Sequence, residues 1–188
     1  MIKEYSERIL ELSKNNGALT YGTFRLSSGK TSTYYFDGRV LTLDPEGGYI
    51  VGKAFLETLR ACRAEAIAGP TLGADPIVSS VAALSYAEGW PLPGLIVRKE
   101  VKSHGGKRAI EGPLKRGSKV AIVDDTCTTG TSLFMAIEAL EAEECEVIMV
   151  MVILDRKEGG SDKIRRHGYP FKTLLEASCA GEIKVMEG

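Results

Sequence analysis

Four short runs made almost wholly of apolar residues punctuate the chain: Ala66-Ile67-Ala68, Gly94-Leu95-Ile96-Val97, Val120-Ala121-Ile122-Val123 and residues 147–154. A strand with one wet face alternates apolar and polar residues, so a strand apolar at every position is buried on both faces. Helix-patterned segments at about 48–62, 75–88 and 131–143 precede or separate these runs. The pattern predicts an α/β fold, a Rossmann-like parallel sheet flanked by helices on both sides. Ligands of such sheets sit beyond the carboxyl ends of the strands, so the loops opening at Gly69, Arg98, Asp124 and Asp155 are expected to share one face.

The 188 residues suit a single domain. Ile2, Tyr5, Ile9 and Leu12 recur at helical spacing up to Lys14, and Asn15-Asn16-Gly17 supplies a stop. Residues 18–43 break into short β-prone pieces around Ser27-Ser28-Gly29 and Asp37-Gly38, with Tyr34-Tyr35-Phe36 as an aromatic cluster. Residues 1–43 therefore read as a small N-terminal lobe on a core spanning 44–188. A net charge of −1, with 44% hydrophobic and 26% charged residues, argues against a nucleic-acid or membrane-surface binder. Any polyanion site must be local. Cys62, Cys127, Cys145 and Cys179 show no C-x-x-C spacing, which predicts reduced thiols in a cytoplasm rather than zinc or disulfides. No signal-like or membrane-spanning apolar run is present in the sequence.

The most informative segment joins the third apolar run to Asp124-Asp125-Thr126-Cys127-Thr128-Thr129-Gly130-Thr131-Ser132, which leads into a helix. Backbone N–H groups and the positive end of the helix dipole then converge on one point, a way to hold a phosphate monoester without a lysine. Thr128, Thr129 and Thr131 add hydroxyl donors. Two carboxylates would repel a phosphate, but they can accept hydrogen bonds from sugar hydroxyls and favour a nearby hard cation such as magnesium. A capped strand end would account for one Asp and one Thr, though not for the whole run. The segment resembles the ribose-phosphate signature of the phosphoribosyltransferases. That resemblance implies the fold of this family with an N-terminal hood, Asp124 and Asp125 at the ribose, and Thr126 to Ser132 around the 5-phosphate of 5-phosphoribosyl 1-diphosphate.

The stretch from Arg98 to Lys119 is too long for a simple turn, and its first part gathers Arg98, Lys99, Lys102, Lys107, Arg108 and His104 around Gly105-Gly106. A cationic loop suits a reaction in which diphosphate departs from C1 of a ribose, because leaving-group charge is neutralised while water is excluded. A solvated charge run is the ordinary alternative. The arrangement Arg98-Lys99-x-x-Lys102-x-His104-Gly105, with Ile110-Glu111-Gly112 after it, resembles the flexible loop, here residues 98–112, of the orotate phosphoribosyltransferases. By that resemblance Arg98, Lys99, Lys102 and His104 contact the diphosphate, and Lys102, His104 and Asp125 are the catalytic candidates. The family loop reaches the neighbouring subunit, which implies a homodimer.

Arg156 follows the last long apolar run and should emerge on the loaded face, where a guanidinium can grip a carboxylate through two parallel hydrogen bonds. Orotate differs from uracil by such a carboxylate. A surface ion pair with Asp155 or Glu158 is the competing role for Arg156. The stretch from Phe24 to Asp37 resembles the family segment that covers orotate, which implies that Tyr35 and Phe36 line the base site, with Thr128 also near the base. Cys127 is read as a small loop residue and not a nucleophile. The resemblance implies transfer of the phosphoribosyl group to N1 of orotate, giving orotidine 5'-monophosphate and diphosphate, with magnesium held mainly by substrate oxygens and water. Many family members carry a lysine where this chain has Ser27, and some carry another after Gly69-Pro70, where Thr71-Leu72-Gly73 follows here. Lys30 or the backbone donors of Thr71 to Gly73 are candidates to replace them. Transfer to another base, or a ligand-sensing regulator on the same fold, are the alternative readings.

Overall fold

A computed structural model of the chain describes residues 2–25, 29, 31–99 and 109–186. Helix α1 (Ile2–Asn15) buries Ile9 and Leu12 on one side, as the helical spacing predicts. Strands β1 (Leu19–Arg25) and β2 (Thr31–Phe36) pair antiparallel, with an irregularity between Tyr21 and Phe24. Residues 38–42 depart from the β-prone reading and form a short helix, α2 (Gly38–Thr42). The cause is Asp37, whose side chain accepts a hydrogen bond from the Arg39 N–H at 3.0 Å and caps the turn. Helix α3 (Pro45–Ala61) likewise starts ahead of the expected Gly48. Asp44 caps it by accepting from the Gly47 N–H at 2.8 Å, and Pro45 occupies a first-turn position that needs no N–H donor.

The remaining elements are β3 (Ala66–Pro70), α4 (Asp75–Ala87), β4 (Gly94–Val97), β5 (Ile110–Glu111), β6 (Lys119–Cys127), α5 (Thr131–Ala142), β7 (Glu146–Asp155), α6 (Gly160–Arg166), β8 (Phe171–Ala177) and β9 (Ile183–Val185). They build a seven-stranded sheet in the order β5-β4-β3-β6-β7-β8-β9. The five inner strands run parallel, and the short edge strands β5 and β9 run antiparallel to their neighbours.

Alternate residues of the central strands feed two hydrophobic clusters, as the period of two in a strand requires. Ala121 and Val123 of β6 join Phe55, Leu59, Ile77 and Val81 from α3 and α4, and Ile9 and Leu41 from the N-terminal segment belong to that same cluster. Val120 and Ile122 face the other way, onto Leu133, Ile137 and Leu140 of α5 and Ile164 of α6. The sheet is thus covered on both faces, and the ends of β3, β4, β6 and β7 open on one side of it. No helix among the described residues is long and apolar enough to cross a membrane.

Candidate active site

Strand β6 continues past its apolar half because β7 runs on to Asp155 and pairs with it, Asp124 opposite Val152 and Cys127 opposite Asp155. The two carboxylates therefore stand inside the strand, beyond the 120–123 run. Asp124 is buried. It accepts a hydrogen bond from the Asp125 N–H at 2.9 Å and another from the Ser132 hydroxyl at 3.1 Å, which ties the strand to the first turn of α5. Burial, and after it the adjacent Asp125, push the Asp124 carboxyl well above the usual carboxylate range. Asp125 is more open and accepts from the Thr126 hydroxyl at 3.3 Å.

Between β6 and α5 the chain turns at Gly130, whose φ of 80° lies in the left-handed region that favours glycine. The Thr129 and Thr131 hydroxyls meet at 3.0 Å across this turn. Gly160, opening α6, backs the turn so closely that a Cβ there would lie 2.6 Å from the Gly130 nitrogen and 2.6 Å from the Thr128 carbonyl oxygen.

A cleft of about 760 Å³ lies over these elements. Its walls bring together Asp124, Asp125, Thr126, Thr128, Thr129, Gly130, Thr131 and Ser132, the turn Pro70 to Gly73 after β3, Lys99 after β4, and Tyr35 and Phe36 of β2. Phe36 is buried while Tyr35 is exposed, its ring 5.7 Å from that of Phe24. Gly73 abuts the acidic pair, since a Cβ on it would come within 2.7 Å of Asp125 Oδ1.

Three of the sequence candidates stand elsewhere. The Cys127 side chain is buried in the cluster beneath α5, and burial pushes its thiol up to about 12, so the residue has only backbone to offer the cleft. Arg98 pairs with Glu111 at 2.7 Å. Arg156 is nearly enclosed. Its N–H donates to the Cys127 carbonyl at 2.9 Å, its guanidinium lies 4.8 Å from the centre of the Tyr34 ring, and Nε meets Glu158 at 3.1 Å. The ion pair is thus with Glu158 and not with Asp155, and the Arg156 side chain is not among those lining the cleft. Burial raises the Tyr34 hydroxyl although Arg156 pulls it the other way. Lys102 and His104 lie outside the described residues, as do Ser27 and Lys30.

Sequence reasoning passed over Asp37 and Arg39, which line the cleft at the start of α2. Asp37 binds the Arg39 guanidinium through two contacts of 2.9 Å, and that pairing holds its carboxyl below the usual range. The signal was available in the cap: an Asp before Gly-Arg marks a helix start, and Arg39 is then carried on the first turn. The sequence offers Asp155 as the start of a loaded loop and as an ion-pair partner for Arg156, with no role of its own in the site. It is fully buried, with one oxygen accepting from the Lys157 N–H at 2.9 Å and the other without a hydrogen-bond partner.

The phosphoribosyl transferase domain family matches residues 57–169. An orotate phosphoribosyltransferase of Aquifex aeolicus is 44% identical over 155 residues, covering 82% of this chain and 85% of that protein. Another, from Corynebacterium glutamicum, is 39% identical over 178 residues, with 95% and 92% covered. Among solved structures, Mycobacterium tuberculosis orotate phosphoribosyltransferase in complex with Fe(III) dicitrate superimposes with a TM-score of 0.80 at 32% identity, over 92% of this chain and 96% of that one. An adenine phosphoribosyltransferase of Thermoanaerobacter pseudethanolicus, 16% identical over 89% of this chain and 99% of that one, shares the fold with a TM-score of 0.64.

Proposed function

The chain belongs to the orotate phosphoribosyltransferases, and from that membership we propose how its residues divide the work. The reaction moves the phosphoribosyl group of 5-phosphoribosyl 1-diphosphate onto orotate, making orotidine 5'-monophosphate and releasing diphosphate. In our reading the turn from Thr126 to Ser132 holds the 5-phosphate with backbone and hydroxyl donors at the α5 N-terminus. Asp124 and Asp125 accept from the ribose hydroxyls. Tyr35 and Phe36 cover the base, with Thr128 beneath it. The observation that carries this division is the single cleft in which β2 aromatics, the acidic pair and the 126–132 turn face one another.

The bond from N1 of orotate to C1 of the ribose forms as the C1–O bond to diphosphate breaks, and the N1 proton passes to the departing diphosphate, so the step needs no enzyme nucleophile. Arg98, Lys99, Lys102 and His104 neutralise the charge that grows on the departing diphosphate. Arg156 forks onto the orotate carboxylate, for which it must exchange its Glu158 partner. The cleft walls contain neither His nor Cys among the described residues, and Asp125 is a hard oxygen donor, so the residues present suit magnesium bound through substrate oxygens and water. When bound, that ion would offset the negative charge of the diphosphate. We assign the enzyme to the cytoplasm, which suits its four free thiols, and to a homodimer in which the loop between Arg98 and strand β5 serves the partner's site, the expected 98–112 bounds being shortened by the pairing of Ile110 and Glu111 with β4.

The test is orotate consumption, followed by absorbance, with the sugar diphosphate and magnesium, and uracil, adenine, hypoxanthine and nicotinate in parallel. Turnover is expected with orotate alone. Turnover of a different base would overturn the base assignment, and ligand binding without turnover would point to a sensor. Arg156→Ala is expected to weaken orotate binding by about tenfold to a hundredfold while sugar-diphosphate binding persists. Unaltered orotate binding would remove Arg156 from the base site.

A further inference from the structure

The described walls of the cleft set three carboxylates, Asp37, Asp124 and Asp125, against two cations, Lys99 and Arg39. The sugar substrate is a polyanion with phosphate at both ends. At the 5-phosphate end the 126–132 turn supplies backbone donors at a helix N-terminus. The opposite wall, Pro70 to Gly73, offers no cationic side chain of its own.

Arg39 lines the same cleft as that wall. A Cβ on its chain neighbour Gly38 would fall 2.4 Å from Asp125 Cβ, and one on Gly73 would fall 2.7 Å from Asp125 Oδ1. The start of α2 and the turn after β3 therefore both pack against Asp125, and Arg39, on the first turn of α2, lines the cleft with them. Its guanidinium is engaged by Asp37 within the same helical turn, with 46% of the side chain exposed. Exposed pairs of this kind contribute little to stability, so a more highly charged acceptor can take over the fork at small cost. The spacing of guanidinium donors matches two phosphate oxygens. Asp37, and to a smaller extent Asp125, hold the group in its charged form.

We propose that Arg39 is a binding residue for the diphosphate group of the sugar substrate, exchanging Asp37 for diphosphate oxygens when the substrate enters. The inference rests on the phosphoribosyl-transfer reading and extends it to a residue on the hood. Calorimetric binding of inorganic diphosphate and of ribose 5-phosphate, each with magnesium, tests it in Arg39→Ala, Arg39→Lys and Asp37→Asn. Arg39→Ala should bind diphosphate about tenfold or more weakly and ribose 5-phosphate within about twofold of the unaltered protein. Arg39→Lys should fall between, because the charge stays and the fork is lost. Asp37→Asn, which keeps the cap of α2 and frees the guanidinium, should bind diphosphate at least as well as the unaltered protein. Unchanged diphosphate affinity in Arg39→Ala overturns the proposal. So do equal losses for both ligands, or a loss in Asp37→Asn as large as that in Arg39→Ala, since either would make the pair structural. If the unaltered enzyme fails to turn over orotate, the phosphoribosyl-transfer reading fails first; an active enzyme with an indifferent Arg39 removes only Arg39.

Discussion

Asp124 is where stability and function oppose each other most directly. Its folded-state carboxyl holds a proton more tightly than the unfolded chain, whose value is about 3.9, because burial and Asp125 both disfavour the anion. The linkage sign follows: this group's favourable contribution to stability is complete below about pH 4 and is lost as pH rises through the raised folded value. Near neutrality, where the unfolded chain carries the anion freely, this buried group therefore weighs against the fold. Asp124→Asn keeps an oxygen to accept from the Asp125 N–H, presents its amide NH2 to the Ser132 hydroxyl, which can turn to accept, and carries no charge. It should melt at a higher temperature than the unaltered protein near neutral pH, with the gap closing toward about pH 4, and it should lose turnover because an amide is a poorer acceptor for ribose hydroxyls. Thermal melts across that pH range check this, and a gap independent of pH would contradict it. The acidic pair itself was legible in the sequence, since two carboxylates after an apolar run have few other uses. That one of them is buried and the other open depends on how far β6 extends, which only its pairing with β7 decides.

At the scale of elements, the strand-turn-helix unit from β6 to α5 was readable because its chemistry is local: an apolar run, a hydroxyl-rich turn, and a periodic helix. Helix α6 was not readable, for it opens with Gly160-Ser161-Asp162 and buries only Gly160, Ser161 and Ile164, too few apolar positions to set a period. Strand β9 contributes just Ile183–Val185 and exists through antiparallel pairing with β8, a non-local cause. Yet α6 matters to the site. Besides its two backbone contacts, a Cβ on Gly160 would come within 2.7 Å of the Cys127 sulfur, so the helix start and the 126–132 turn share a space sized for glycine. Gly160→Ala should displace the turn, costing about 1–3 kcal/mol of stability by overpacking and weakening phosphate binding. Denaturant melts and calorimetry with inorganic phosphate would show both effects; a stable variant with unchanged phosphate affinity would mean that the two elements can part without consequence.

Across the whole molecule, the α/β class and the shared face of the loaded loops could be foreseen because fully apolar strands permit few architectures. How the N-terminal segment meets the core could not, because its contacts span long sequence separations. Leu41 and Ile9 pack in the same cluster as Phe55 and Val81, and Tyr34 of β2 lies under Arg156 after β7. These contacts tie the N-terminal segment to the sheet, so a ligand in the cleft should stabilise both together. A ligand that binds only the folded state stabilises by about 2.7 kcal/mol at a hundred times its dissociation constant. For a chain of this length each kcal/mol raises the melting temperature by about 2–4 °C, so the sugar diphosphate with magnesium should shift it by roughly 5–11 °C. The shift should appear in a single transition, followed equally by fluorescence of Trp90, in the connection after α4, and by far-ultraviolet circular dichroism. Two transitions, with only one moved by the ligand, would instead mean that the N-terminal segment unfolds apart from the sheet and that the β2 aromatics close over the cleft as an independent element.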